Sequence, residues 1–260
     1  MRHIPFFQVD AFVAGRALTG NPAAVMPLER WLDDAEMQAI AAENNLSETA
    51  FTVPSSGGDA DYDLRWFTPT VEVDLCGHAT IASGHVLMKE GGVRFATRSG
   101  VLTVAQAGER LELELPAFQV EPGEEPGLLD ALGVPGETFL GRGGNGSAIV
   151  MLADEAAVRA VRPDFAALRM IDRLVIVTAP GDSHDISSRV FAAFHGIDED
   201  PVTGAAHAAL VPLWAKRLGR ERFAALQASK RTGVLHCRLA GDRVILGGRC
   251  MTVIEGTFQL

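Results

Sequence analysis

The sequence is poor in the residues that build disulfide frameworks, zinc clusters and nucleic-acid surfaces. It has only three cysteines, Cys76, Cys237 and Cys250, and no pair has C-x-x-C spacing, so neither a disulfide framework nor a zinc ribbon is expected. One Tyr and three Trp leave few rings for stacking on bases, and a net charge of −10 repels phosphate backbones. We therefore expect no nucleic-acid partner.

Long hydrophobic runs are missing as well. No stretch of about 18 apolar residues, the length that begins to indicate a membrane-spanning helix, occurs in the chain. The segment Met1–Asp10 turns polar too early for a signal peptide. We therefore expect a cytoplasmic protein with no membrane partner. A P-loop lysine and a G-x-S-x-G nucleophile motif are also lacking, so neither of those chemistries is indicated.

One glycine motif fits a nucleotide-binding fingerprint in its letters only. Gly141–Gly146 reads G-x-G-x-x-G, but a dinucleotide-binding motif must follow a strand and open a helix. This segment instead opens the strand-like run Ser147–Leu152. We interpret it as a flexible connector and expect no cofactor.

The chain does contain the same passage twice. Gly100–Leu111 and Gly233–Val244 each carry G-V-L followed by a glycine, an acidic residue and an arginine, with the marking glycines eight positions apart in both. Upstream, Arg65–Phe67 is echoed by Arg189–Phe191. Matches in the same order over such a length predict two related halves.

We place these halves at residues 1–120 and 121–260, with the last strand able to pack on the first half. The Pro-rich and acidic stretch Glu114–Gly127 is the expected linker. A pseudo-symmetric pair of domains usually keeps its ligand in the cleft between them.

Hydrophobic periodicity predicts three main helices, Asp33–Asn44, Gly77–Lys89 and Thr203–Leu218, of which the last two are apolar on most sides. Each half is thus strand-rich with one apolar helix, which predicts an α+β fold with a curled sheet wrapped around that helix. The predicted strands are Phe6–Phe12, Ala23–Leu28, Thr49–Val53, Asp63–Phe67, Leu102–Leu113 as a hairpin, Ala148–Leu152, Leu174–Thr178, Val234–Leu239 and Arg243–Leu246.

Two motifs stand where the apolar helices begin. Asp74–His78 enters the first helix and Glu199–Gly204 enters the second. A helix that starts at a glycine leaves free backbone N–H groups and a positive dipole end, so two equivalent starts could bind a carboxylate. The alternative is ordinary capping of two core helices by Asp74, Asp200 or Thr203.

A carboxylate, Glu48, lies between a helix end and an apolar strand in the segment Asn44–Phe51. Held in an apolar cleft, such a Glu could act as a general base or acid near neutral pH. The alternative is a solvated turn residue.

Histidines and one thiol lie near the helix starts. His78 and His85 are seven positions apart and share a helical face, and together with His207 and Asp200 they could suggest a metal. No compact pair such as H-x-x-x-H occurs, so we expect no metal. Cys76 could be a nucleophile or proton carrier, because the pKa of a thiol falls at a helix start.

These residues resemble the PhzF family, named for the phenazine-biosynthesis isomerase and related in fold to diaminopimelate epimerase. The resemblance implies two pseudo-symmetric domains, each a barrel-like, mostly antiparallel sheet around a central helix, and a homodimer. The matching segments span nearly the whole chain: Phe7–Phe12, Gly20–Val25, Asn45–Phe51, Arg65–Pro69, Cys76–Thr80, Glu199–Gly204 and Gly247–Gly248.

The resemblance also implies roles for individual residues. Glu48 matches the family's acid/base residue, and His78 and Asp200 match its partners at the substrate. The implied substrate contacts are Ser47, Gly77, Gly204 and Ala205. The family often has Ser where this chain has Ala205, so a backbone N–H contact survives there while a hydroxyl contact is lost.

The sequence therefore predicts a cofactor-independent isomerase that moves a proton between carbons of a small carboxylate substrate. One base that takes and returns the proton is sufficient when the two carbons lie on the same face. Two alternatives remain open: an amino-acid-type racemase or epimerase with Cys76 or Asp200 as a second base, and a non-catalytic protein that binds a small ligand.

Overall fold

The chain folds into two compact units. A computed structural model describes residues 1–141 and 146–260, so most of the glycine motif Gly141–Gly146 lies outside the described residues. The first unit comprises Met1–Glu114 together with Gly247–Leu260, and the second comprises Leu115–Leu246. The closing segment of the chain thus belongs with the N-terminal unit.

The first unit is a sheet with two long helices. Its elements in chain order are β1 (His3–Ala11), β2 (Asn21–Pro27), α1 (Asp34–Asn44), β3 (Glu48–Pro54), β4 (Tyr62–Phe67), β5 (Glu72–Val73), α2 (Gly77–Leu87), β6 (Gly92–Thr97), β7 (Gly100–Ala107) and β8 (Arg110–Pro116), the last of which crosses the unit boundary.

The second unit repeats this plan with more short helices. Its elements are β9 (Val120–Pro122), α3 (Leu128–Leu132), β10 (Glu137–Gly141), β11 (Ser147–Met151), α4 (Glu155–Ala160), α5 (Phe165–Leu168), β12 (Leu174–Pro180), β13 (Ile186–Ala192), a 3₁₀ turn (Ala193–His195), β14 (Ile197–Asp200), α6 (Gly204–Leu218), β15 (Arg222–Gln227), β16 (Gly233–Ala240) and β17 (Arg243–Gly248). The last two residues of β17 and the final strand, β18 (Cys250–Gln259), belong to the first unit, where β18 pairs antiparallel with β1.

The two units share one order of strand pairing. In the first, β1–β2, β3–β4 and β6–β7 are antiparallel, while β2–β3 and β4–β6 are parallel. In the second, β10–β11, β12–β13 and β15–β16 are antiparallel, while β11–β12 and β13–β15 are parallel. The repeated sequence passage therefore corresponds to a repeated topology.

Repeated residues make repeated contacts. Arg65 on β4 forms a two-pronged ion pair with Glu72, with N–O distances of 2.7 and 2.8 Å, and Arg189 on β13 forms the same pair with Glu199 at 2.7 and 2.9 Å. Each guanidinium also lies over the ring of the phenylalanine two residues further along its strand, Phe67 or Phe191. These are the residues of the repeated R-x-F sequence. Bidentate pairing of this kind fixes direction as well as charge.

Helix α2 lies at the centre of the first unit. Its residues 77–84 are all buried, and it contacts β1, β2, β3, β6, β7 and β18. Small residues allow this close packing: a Cβ added at Gly84 would lie 2.6 Å from Val104 Cγ1 on β7. The predicted α+β class, with a sheet around an apolar helix, is confirmed.

Two details of the sequence interpretation need correction. The predicted helix Gly77–Lys89 ends at Leu87, because Met88 already has an extended backbone. The predicted linker Glu114–Gly127 contains strand β9, which pairs antiparallel with β10, so part of it is regular structure. Within the described ranges, none of the helices has the length and apolar character needed to cross a membrane.

Candidate active site

Glu48 is positioned by the junction of α1 and β3. Helix α1 ends at Asn45, which adopts the left-handed conformation with φ 48° and bonds back to the carbonyl of Ala41, a common way to stop a helix. Strand β3 then begins at Glu48 and runs parallel to β2, with Glu48 opposite Ala23. The Glu48 side chain is 13% exposed, so the alternative of a solvated turn residue does not apply.

His78 meets Glu48 from the first turn of α2. Its side chain is only 4% exposed, and its Nε2 lies 3.0 Å from Glu48 Oε2. Neither atom has an aligned hydrogen-bond partner among the described residues, so the contact is an ion pair by distance rather than an aligned hydrogen bond. The structure therefore brings together the two groups that the sequence predicted as acid/base residue and partner.

Burial and charge act in opposite directions on the pKa values here. Burial alone would lower the pKa of His78, but its interactions with Cys76 and with the Glu48 carboxylate raise it well above its ordinary value. For Cys76, burial raises the pKa of the thiol to about 11, and the Glu48 charge adds to the rise. The expectation of a lowered thiol pKa at the helix start is therefore wrong, because burial and the Glu48 charge raise the pKa more than the contacts with His78 and the Ala79 backbone lower it.

A second polar pair stands behind His78. Asn21 Nδ2 lies 3.1 Å from His78 Nδ1, and the Ser47 hydroxyl donates to Asn21 Oδ1 at 3.0 Å. Ser47, predicted to contact the substrate, thus bonds to another protein side chain. Asn21 lies in the matching segment Gly20–Val25 but was assigned no role from the sequence, so its contact with the site was missed.

The signal that could have found Asn21 is the glycine before it. Gly20 has φ 77°, and a Cβ there would lie 2.3 Å from the carbonyl oxygen of Ala11. Only glycine fits this backbone without displacement. The tight turn at Gly20 therefore places Asn21 beside the imidazole of His78. Asn21 is fully buried at the start of β2.

Glu48, Cys76 and His78 also have donor atoms within 4.8 Å of one another. Carboxylate, thiolate and imidazole are donors that zinc accepts, so this group could hold an ion. The imidazole, however, already has protein contacts on both nitrogens, Nδ1 with Asn21 and Nε2 with Glu48. That the protein needs no metal stays a prediction.

The corresponding site in the second unit is the start of α6. Asp200, at the end of β14, is 8% exposed and accepts a hydrogen bond from the Thr203 hydroxyl. Gln227 fixes this turn: its Oε1 accepts from the Thr203 amide at 2.8 Å, and its Nε2 donates to the Asp200 carbonyl at 2.7 Å. Gly204 and Ala205 form the first turn of the helix.

The helix starts themselves are alike. Cys76 precedes Gly77 at α2 and Thr203 precedes Gly204 at α6, and neither of these cap residues makes a side-chain capping hydrogen bond. The alternative of capping by Thr203 is therefore wrong. The side chains of Cys76 and Thr203 therefore do not occupy the first N–H groups of α2 and α6, the groups that can bind an anion at a helix start.

The other two histidines of the sequence prediction lie elsewhere. His207 in α6 is fully buried, with Nδ1 bonded to the Thr203 carbonyl at 2.8 Å, and burial lowers its pKa to about 4. His85 contacts Thr252 at 3.1 Å through Nε2. Neither belongs to the group formed by Glu48, Cys76 and His78.

Comparison with known proteins gives matches along the whole chain. Residues 9–256 match the family model described as phenazine biosynthesis-like protein, PhzC-PhzF. An uncharacterized isomerase of Pseudomonas aeruginosa is 48% identical over 264 residues, covering 99% of both proteins. The crystal structure of a PhzF-family phenazine biosynthesis protein of Enterococcus faecalis matches with a TM-score of 0.92 and 45% identity, covering 100% of both chains.

A more distant structure bears on the fold alone. A predicted epimerase of Pseudomonas aeruginosa matches with a TM-score of 0.74 and 21% identity, covering 99% of both chains. The predicted similarity to the diaminopimelate epimerase fold is thereby confirmed.

Proposed function

Because the chain belongs to the phenazine biosynthesis-like PhzC-PhzF family, we propose that it is an isomerase that moves a proton between two carbons of a small carboxylate substrate without a cofactor. The observation that carries this proposal is the contact of 3.0 Å between Glu48 and the buried His78. A carboxylate beside an imidazole, both largely removed from water, is a typical general acid/base pair.

Glu48 is the proposed base. Its carboxylate takes the proton from a carbon next to a carboxylate or a conjugated double bond, and the C–H electron pair moves into the π system. The protonated Glu48 exchanges with solvent between the two steps and gives a proton to a second carbon, so that no other reactant is consumed. His78 lies against Glu48 and stabilises its charged form between turnovers.

The start of α2 is the proposed anion site. Its cap residue Cys76 has no side-chain capping bond, so the N–H groups near Gly77 can face a carboxylate. Dipoles already fixed in place stabilise the enolate-like charge as it develops, without having to reorient. We propose Asp200 as a further catalytic residue, and Ser47, Gly204 and Ala205 as substrate contacts, on the family resemblance.

A racemase or epimerase remains the second candidate, because Cys76 Sγ lies 3.6 Å from His78 Nδ1. Burial works against it: a thiol with a pKa of about 11 is a poor base at neutral pH. A homodimer and a cytoplasmic location also stay predictions, and light scattering in solution tests the first.

Deuterium uptake tests the proposed function. Cyclic and amino-acid carboxylates are incubated with the protein in heavy water, with and without a chelator, and analysed by mass spectrometry and chiral chromatography. We expect at least one compound to gain deuterium and shift its double bond with unchanged configuration, with or without chelator. Inversion would identify an epimerase, and a carboxylate that binds without exchange would identify a binding protein.

A further inference from the structure

We propose that Ser47 and Asn21 are positioning residues that hold the His78 ring with its proton on Nε2, facing Glu48, and its lone pair on Nδ1. The inference rests on the proposed function, because it assigns these residues to the same acid/base pair. It is carried by a continuous chain of contacts from the Ser47 hydroxyl through the Asn21 amide and the His78 ring to the Glu48 carboxylate.

The Asn21 amide lies between Ser47 and His78. Its Oδ1 accepts from the Ser47 hydroxyl at 3.0 Å, and its NH₂ group faces His78 Nδ1 at 3.1 Å. An amide NH₂ group can only donate. His78 Nδ1 must therefore accept, which in a neutral imidazole places the proton on Nε2.

The other end of the chain requires the same tautomer. Glu48 Oε2 lies 3.0 Å from His78 Nε2, and a carboxylate oxygen facing a nitrogen lone pair would be repelled. A proton on Nε2 turns this contact into an attraction. The Cys76 thiol, 3.6 Å from Nδ1, is a second weak donor on the Nδ1 side.

Burial explains why protein side chains, rather than water, must fix the tautomer of His78. Asn21 is 0% exposed and His78 is 3% exposed, so water is not at hand to satisfy a misplaced proton. With the proton on Nδ1, two N–H groups would face each other and Glu48 would face a lone pair. A catalytic histidine in the wrong tautomer costs about 10⁴-fold in kcat in a serine protease, so holding the tautomer has functional value.

The ring nitrogens can be observed directly by ¹⁵N NMR of histidine-labelled protein over a pH range that extends above the raised pKa of His78. The chain has seven histidines, and the His78 signals are identified by their loss in His78→Gln. We expect the neutral wild-type ring to carry its proton on Nε2. A neutral ring with its proton on Nδ1 in the folded wild-type protein would overturn the proposal.

Variants test whether Asn21 and Ser47 hold that state. In Asn21→Asp the new carboxylate faces Nδ1, so we expect Nδ1 to gain a proton and kcat to fall by about tenfold or more, with KM within about threefold. Ser47→Ala frees the amide to rotate and should broaden or shift the ring signals, whereas Ser47→Thr keeps a hydroxyl and should restore the wild-type signals. Unchanged His78 signals in both Asn21→Asp and Ser47→Ala would contradict the proposal.

Asn44→Asp is the matched control. The Asn44 side chain donates to the Thr49 hydroxyl at 3.0 Å. Asn44→Asp therefore replaces an amide by a carboxylate, as Asn21→Asp does, but not beside the imidazole, so the His78 signals should not move. The signals of the other histidines report whether each variant is folded. The two proposals can fail separately. Deuterium uptake by the wild type with the proton on Nδ1 would overturn only this inference. The expected tautomer without deuterium uptake would overturn only the proposed function.

Discussion

The starts of α2 and α6 share a backbone plan but differ in their side chains. Each helix begins at a glycine, has a cap residue without a side-chain capping bond, and carries a buried histidine in its first turn. His78 contacts a carboxylate, an amide and a thiol, whereas His207 Nδ1 bonds to a backbone carbonyl and His207 Nε2 has no hydrogen-bond partner among the described residues.

This difference shows what burial does with and without a charged partner. Burial lowers the pKa of His207 to about 4, whereas at His78 the interactions with Cys76 and Glu48 outweigh the same desolvation and raise the pKa. The supporting pairs Arg65–Glu72 and Arg189–Glu199 are nearly identical. The duplicated fold therefore supplies two similar scaffolds, and of the two first-turn histidines it is His78 that lies against a carboxylate.

Replacing each histidine should separate these roles most strongly. We expect His78→Gln to lower kcat/KM by about 10²- to 10³-fold, in the range of a lost acid/base partner. His207→Gln should keep its turnover per folded molecule while it loses about 1–3 kcal/mol of stability, the usual cost of a broken buried hydrogen bond. Steady-state kinetics and urea unfolding of both variants measure this, and equal losses of turnover would remove the distinction between the two helix starts.

Acid should destabilise the protein through His207. Its pKa is about 6.5 when unfolded and about 4 when folded, so between these values the unfolded state binds a proton that the native state does not. Stability is thus lost as the pH falls through this window, by at most about 1.4 kcal/mol per pH unit. The stability gap between wild type and His207→Gln should narrow from pH 6.5 to 4, and a gap of constant size would argue against a buried neutral His207.

The two Arg–Glu pairs should respond alike. We expect Arg65→Ala and Arg189→Ala each to lower the free energy of unfolding by about 2 kcal/mol, because each removes the bidentate partner of a largely buried carboxylate. The loss at Arg65 should be the smaller of the two, because Glu72 keeps its contact with Arg98 at 2.8 Å. Arg217→Ala is the control, since the Arg217–Glu137 pair is exposed and should contribute less than about 1 kcal/mol. Urea unfolding decides the outcome, and one large loss beside one negligible loss would show that the scaffolds are not equivalent.

Loss of the Cys76 thiol should have the smallest effect. With a pKa of about 11 the thiol is protonated at neutral pH. The equivalent position before α6 is Thr203, so these two positions do not supply the two thiol bases that an epimerase of this kind would use. We expect Cys76→Ala to keep kcat/KM within about tenfold, or about 1.4 kcal/mol of barrier. A loss of several orders of magnitude in a folded variant would favour the epimerase.

Local patterns were enough to predict much of the fold. The three long helices and the apolar strands follow from periodicity and turn residues, and Glu48 and His78 lie in short segments that carry the family resemblance. The repeated G-V-L passage marked a duplication that the strand pairing bears out.

Other features depend on packing that no local pattern records. The pKa of Cys76 rises because α2 is enclosed by the sheet, whereas the helix-start pattern alone indicated a lower value. The role of Asn21 depends on the approach of β2 to α2, across 57 positions of sequence. Strand β9 was hidden in a segment whose prolines indicate a linker.

The central claim is that Glu48 carries the proton, and solvent-deuterium exchange by Glu48→Gln tests it most directly. Gln keeps the size and polar contacts of the side chain but cannot take up a proton, and Glu48 is the only carboxylate between Asn44 and Gly58, so no neighbour in the local sequence can replace it. We expect the folded variant to bind a carboxylate ligand yet to lose turnover and exchange by about 10²- to 10⁴-fold. Exchange at the wild-type rate in Glu48→Gln would contradict the account and make His78 or Asp200 the better candidate base.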